Sequence, residues 1–190
     1  MLAVRVGEAE LLDAHLYSLA VAPVQDLLCF KRAGGTIFFA DTFLAGATSI
    51  EAGLQRGAPL DRAARTRYED LDADPGHVFG VFDPMMHALI FTPQATPANH
   101  ERITLHELGH ALTLPPMYRS AHLRGELLRG LPAEIDVMLR AYPQGNDRAA
   151  IRERVLEALA EAYVWTVVGR WQELPRALFG TLQGILTAGR

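Results

Sequence analysis

An α+β fold is the expectation for this chain of 190 residues, and three observations carry it. Two β-prone runs, His77–Phe82 (HVFGVF) and His87–Thr92 (HALIFT), flank Asp83-Pro84-Met85-Met86 and read as a hairpin. A third compact run, Thr36–Ala40 (TIFFA), has the β-branched and aromatic composition of a buried strand. Most of the rest, above all the chain after residue 96, spaces its apolar residues as helices do. The expected result is one domain over 1–190. A lobe of about 1–114 carries a small sheet, and a mainly helical lobe spans about 115–190.

Residues 8–20 place Leu11, Leu12, Leu16, Leu19 and Ala20 on roughly one side of a helix, which Ala22-Pro23 ends. A short helix runs to about Phe30, and Gly34-Gly35 marks a turn before the TIFFA strand. Residues 41–76 are rich in Gly, Asp and Pro and are expected to form short helices and loops. After the hairpin, Thr96-Pro97 opens a helix, since Thr suits the N-cap and Pro the first helical position. Glu101 lies near that end, where the helix dipole favours a carboxylate. Leu105, Leu108 and Leu112 carry the helix on, and Pro115-Pro116 must stop it. Residues 120–141 read as helical, broken near Gly130-Leu131-Pro132. Asn146-Asp147 caps a long helix over about 148–168, and a last helix covers roughly 173–187.

Composition narrows the function. The net charge is −4, which removes the simple electrostatic argument for nucleic acid. Mean hydropathy is near zero, at +0.08, and no apolar run approaches a membrane span. Lys31 is the single lysine among 18 basic residues, which reads as codon bias rather than function. The first residues lack an uninterrupted apolar core because Glu8, Glu10 and Asp13 intervene, so they do not read as a signal peptide. A cytoplasmic location is the expectation, with secretion by another route left open. Cys29 has no partner for an internal disulfide and reads as packing in DLLCF.

The strongest signal is His106-Glu107-Leu108-Gly109-His110, an HExxH motif inside a helix. Residues at i and i+4 lie one above the other on a helix face, so both imidazoles can converge on one ion at Zn–N distances of about 2.0–2.1 Å. Glu107 projects about 100° round from His106, beside the metal rather than at it. From there it can take a proton from a metal-bound water and pass it to a leaving amine. The bland reading is two ordinary helix histidines.

A catalytic zinc needs three protein ligands. Thr113 and Pro116 stand where a longer HExxHxxGxxH pattern would place its remaining residues. The best remaining donors are Glu157 and Glu161, at i and i+4 in LEALAEAYVW. Their face runs on to apolar Val164, Trp165 and Val168, which a solvated acidic stripe does not do. Two like charges so placed destabilise a helix by about 0.2–0.5 kcal/mol unless a positive charge sits between them. Glu157 is assigned to the metal and Glu161, one turn deeper, to the Nδ1–H of a ligating histidine, His106 for preference. The exchange of these two roles stays open on spacing alone, as does a surface glutamate ladder that includes Glu153.

HELGH followed by a helix of the form ExxxE resembles the gluzincin metallopeptidases. The phrase Glu157-Ala-Leu-Ala-Glu161-Ala-Tyr163 is similar to the third-ligand helix of the anthrax toxin lethal factor-like peptidases, a group that includes the Pro-Pro endopeptidases. The hairpin leading into LHELGHAL fits the same group, so the resemblance covers about 77–170. It implies one catalytic Zn²⁺ on His106, His110 and Glu157, Glu107 as base, and Glu161 behind a histidine. It also implies a zincin-like fold, with a small twisted sheet whose edge strand lies over the HExxH helix. A peptide or protein substrate would bind extended along that edge. The family usually carries an oxyanion-stabilising tyrosine just before the third-ligand helix, where this chain reads QGNDRAA. Tyr142 is the nearest candidate, ahead of Tyr118, Tyr163 and His122, against a plain structural role.

Other signals carry less. His77, His87 and His100 read as packed or exposed. Gly125–Gly130 has a P-loop-like gap, but Leu131-Pro132 replaces the Lys-Ser/Thr pair. Arg62, Arg65 and Arg67, and separately Arg119, Arg124 and Arg129, read as solvated faces, with an acidic substrate or partner as the alternative. No GxSxG elbow is present. The expected activity is zinc-dependent endopeptidase hydrolysis by a Glu-activated, zinc-bound water. Two rivals stand beside it: a non-catalytic zinc-containing binding or toxin-associated module, and a regulatory metallopeptidase specific for one partner protein.

Overall fold

A computed structural model describes residues 9–54, 60–73, 80–92, 100–119 and 148–189. It is α+β and mostly helical, with seven α-helices and a mixed three-stranded sheet among the described residues. The chain enters through α1 (Ala9–Val21) and α2 (Val24–Arg32), broken at Pro23. Gly34 then adopts φ +87°, and its amide and that of Gly35 bond back to the carbonyls of Lys31 and Phe30 at 3.0 and 2.9 Å. This pair of bonds satisfies the last α2 carbonyls and turns the chain into β1 (Thr36–Phe39).

α3 (Phe43–Leu54) and α4 (Arg62–Ala73) form a helical pair before β2 (Gly80–Asp83) and β3 (Ala88–Phe91). β3 is central: β1 runs parallel to it and β2 antiparallel, in the order β1-β3-β2. A parallel pair needs a long crossover, and the α3–α4 segment lies within the connection between β1 and the hairpin. β2 is therefore a margin of the sheet, next to α5 (His100–Arg119).

The sheet separates two apolar clusters. Ile37, Phe39, Phe82, Leu89 and Phe91 face the helical side, where α5, α6 (Arg148–Val167) and α7 (Arg176–Gly189) pack. Val81, Ala88 and Ile90 face Phe43, Ala47, Ile50 and Tyr68 of α3 and α4. Alternation along each strand sends successive side chains to opposite faces. α6 is Ala-rich and buries Val155, Ala158, Leu159, Ala162, Tyr163 and Val164, so its burial extends over more than one stripe. His15 of α1 is fully buried, stacks on Phe91 and hydrogen-bonds with Thr104 Oγ1 of α5 at 2.6 Å. No helix among the described residues is long and apolar enough to cross a membrane.

Two expectations need correction. α5 does not stop at Pro115-Pro116 but continues through them to Arg119. These prolines surrender two amide donors, yet their rings line a small cavity with Phe30 of α2 and Ile185 and Leu186 of α7. Tertiary packing there overrides the local penalty. The hairpin loop is Pro84–His87, one residue later than expected, because Asp83 pairs with Ala88 inside the ladder. The Asp83 carboxylate accepts the Met85 and Met86 amides at 2.7 and 2.9 Å and the Tyr68 hydroxyl. His87 closes the loop at φ +50°, with its ring against Phe30 and edge-on to Phe82. The Thr96-Pro97 start of α5, the 120–141 helix and the Asn146-Asp147 cap lie outside the described residues.

Candidate metal centre

The site forms where α5 and α6 run antiparallel in close contact. Gly109 makes the approach possible: a Cβ there would lie 3.0 Å from Ala160 Cα and 3.1 Å from both Ala160 O and Tyr163 Cβ. Helices this near bring opposed side chains within direct reach. On α5, Arg102, His106 and His110 follow at i, i+4 and i+8 along one face; on α6, Glu157 and Glu161 do the same.

The two rows interlock. Arg102 Nη2 donates to Glu161 Oε1 at 2.8 Å, and the same oxygen lies 3.1 Å from His106 Nδ1. On the other side of that ring, Nε2 is 3.1 Å from Glu157 Oε2. The second oxygen of Glu157 is 3.4 Å from His110 Nε2. Donor atoms of His106, His110 and Glu157 all lie within 4.8 Å of one another. A tetrahedral ion with bonds of about 2.05 Å requires ligand atoms about 3.3 Å apart, and the two His–Glu157 separations straddle that value. Two imidazole nitrogens and a carboxylate are also a donor set that suits zinc, so the residues fit the ion. Spacing left the roles of the two glutamates exchangeable. Here Glu157 faces both Nε2 atoms, and Glu161 faces only the back of His106.

Electrostatics follow from burial and pairing. Burial opposes charge on His106, but its hydrogen bonds to Glu157 and Glu161 outweigh this and lift its pKa to about 10 in the metal-free protein. Burial also works against ionised Glu157, and both histidines overcome it, holding the carboxyl well below its usual range. Glu161 is likewise lowered against its burial, by His106 and Arg102. His110 Nδ1 is buried without a hydrogen-bond partner among the described residues.

Glu107 behaves differently. Its Oε2 accepts the Phe82 amide of β2 at 2.7 Å, which ties the HExxH helix to the sheet margin. Burial pushes its carboxyl upward, with His110 and His106 pulling the other way. A carboxylate raised above its usual range is a stronger proton acceptor than an ordinary one.

Tyr142 and His122 lie outside the described residues, and of the Tyr118 side chain nothing is described. Tyr163 is buried at 1% exposure with its hydroxyl donated to Asp26 Oδ2 at 3.3 Å, on the side of α6 that meets α2. Two contributors escaped the sequence reading. The Phe82 amide has no side-chain signal. Arg102 does have one, its place four residues before His106, but it stands outside the motif.

No protein-family model matches the chain, and a search of the curated proteins finds no relative.

Proposed function

We propose that the chain is a zinc-dependent metalloendopeptidase of gluzincin type, with a zincin-like arrangement of sheet margin, HExxH helix and third-ligand helix. The observation that carries this reading is the convergence of His106, His110 and Glu157 from two helices, at spacings a zinc ion requires. Glu107 beside them, tethered to β2, adds the proton acceptor.

Zinc bound there would polarise the scissile carbonyl and acidify a water toward a pKa of about 7. The chain does the rest. His106, His110 and Glu157 would hold the ion, and Glu161 fixes the His106 ring through Nδ1. Glu107 accepts the proton released as water attacks the carbonyl carbon, then delivers it to the nitrogen as the C–N bond breaks. An extended peptide or protein substrate would add along β2 through backbone groups other than the Phe82 amide, which Glu107 already occupies. Tyr142 remains the candidate donor to the developing oxyanion.

Metal analysis of the purified protein is expected to give one zinc per chain, and an unbiased peptide library to be cleaved. Glu107→Gln is expected to retain the zinc and lose about 10²–10⁴-fold in cleavage rate. A Glu107→Gln protein that cleaves as fast as the parent overturns the mechanism. A library left intact by a zinc-loaded parent points to the non-catalytic module, or to a peptidase that acts on one partner protein.

A further inference from the structure

Glu161 can serve His106 only if its flexible side chain stays where the ring needs it. One hydrogen bond from Nδ1 does not secure that, because a glutamate on a helix face has several torsions free to swing it away. The structure supplies a second anchor. Arg102 Nη2 reaches the same oxygen, Oε1, at 2.8 Å, shorter than the 3.1 Å contact with His106. The Arg102 side chain is 66% exposed whereas that of Glu161 is 8% exposed, so the arginine reaches inward from the surface to a carboxylate that water hardly touches. It does so along a cleft it shares with Trp165, Val164 and Arg170.

We propose that Arg102 is a positioning residue for the metal centre, holding Glu161 on the Nδ1 edge of His106 and so leaving Glu157 as the carboxylate ligand. This rests on the zinc-site reading above. Arg102 occupies the oxygen through which Glu161 meets His106, one turn of α5 away from the His106–His110 pair. Glu157, four residues back on α6, faces both Nε2 atoms instead. The arginine thus separates two glutamates that spacing alone makes interchangeable.

The test is zinc affinity, read by competition with a chromophoric chelator, in four variants and the parent. Loss of a hydrogen-bond partner behind a ligand costs about 10–100-fold in metal affinity, and Glu161→Ala is expected to fall there. Arg102→Met, one link further out, is expected to lose about 3–10-fold, less than the loss of the direct partner. Arg102→Lys keeps a donor and is expected to recover most of the loss. The double variant Arg102→Met/Glu161→Ala is expected to bind no more weakly than Glu161→Ala alone, because the proposed route from Arg102 to the metal centre runs through Glu161. Arg102 is exposed, so the Arg102→Met and Arg102→Lys proteins are expected to match the parent in chelator by circular dichroism. A parent that fails to bind zinc removes the metallopeptidase reading and this proposal with it. A parent that binds tightly while Arg102→Met binds equally well, or while the Arg102→Met loss persists in the Glu161→Ala background, overturns the role of Arg102 alone.

Discussion

Replacing Gly109 with alanine sets two opposed effects against each other. Alanine is the better helix former by about 0.8–1.0 kcal/mol, so on an exposed helix the change would stabilise. Here the new methyl would stand 3.0–3.1 Å from Ala160 and Tyr163 of α6. Carbon atoms rest at about 3.5–4.0 Å, so α5 and α6 must part by several tenths of an ångström. Extra methyl groups in a packed core cost about 1–3 kcal/mol. The balance is a protein less stable by up to about 2 kcal/mol despite its improved helix propensity. Parting the helices also lengthens the 3.1 and 3.4 Å separations between the histidines and Glu157, so zinc affinity is expected to fall. Urea denaturation in chelator measures the first effect, and chelator competition the second. A Gly109→Ala protein stabilised by the full 0.8–1.0 kcal/mol of helix propensity, with unchanged zinc affinity, would refute the close approach of the helices.

Metal-free protein is expected to bind zinc more tightly as pH rises through neutrality. His106 is lifted from 6.5 to about 10, so it must surrender a proton to become a ligand, and affinity should climb about tenfold per pH unit for one proton; a flat profile from pH 7 to 9 contradicts this. The same shift bears on stability. A histidine raised in the folded state stabilises fully below 6.5, and this contribution is lost as pH rises through about 10. Denaturant midpoints of the chelated protein are therefore expected to decline over that window, and His106→Ala is expected to flatten the decline. On the opposite face of the sheet, Tyr68→Phe removes the hydroxyl that Asp83 accepts in a buried setting. The expected cost is about 1–3 kcal/mol, and a loss below about 0.5 kcal/mol in urea would show that the pair contributes little.

The HExxH pair was legible because its chemistry depends on i, i+4 spacing, which a helix preserves regardless of tertiary context. Glu157 and Glu161 were legible for a related reason: an acidic face that becomes apolar one turn later conflicts with a solvated surface. Which glutamate faces which nitrogen was not legible, since it depends on the stagger between two helices. Arg102 lies outside the motif, although Arg102, His106 and His110 continue one stripe. The parallel pairing of β1 with β3 depends on a crossover that strand composition does not encode. Pro115-Pro116 misled for the converse reason, a local rule overridden by contacts with α2 and α7.

The alternation of Arg102, Glu161, His106 and Glu157 bears on how such a centre would be filled. In the metal-free protein the His106 proton supplies the positive charge between Glu157 and Glu161. On the proposed zinc reading, uptake of the ion would exchange one cation for another between the same two carboxylates.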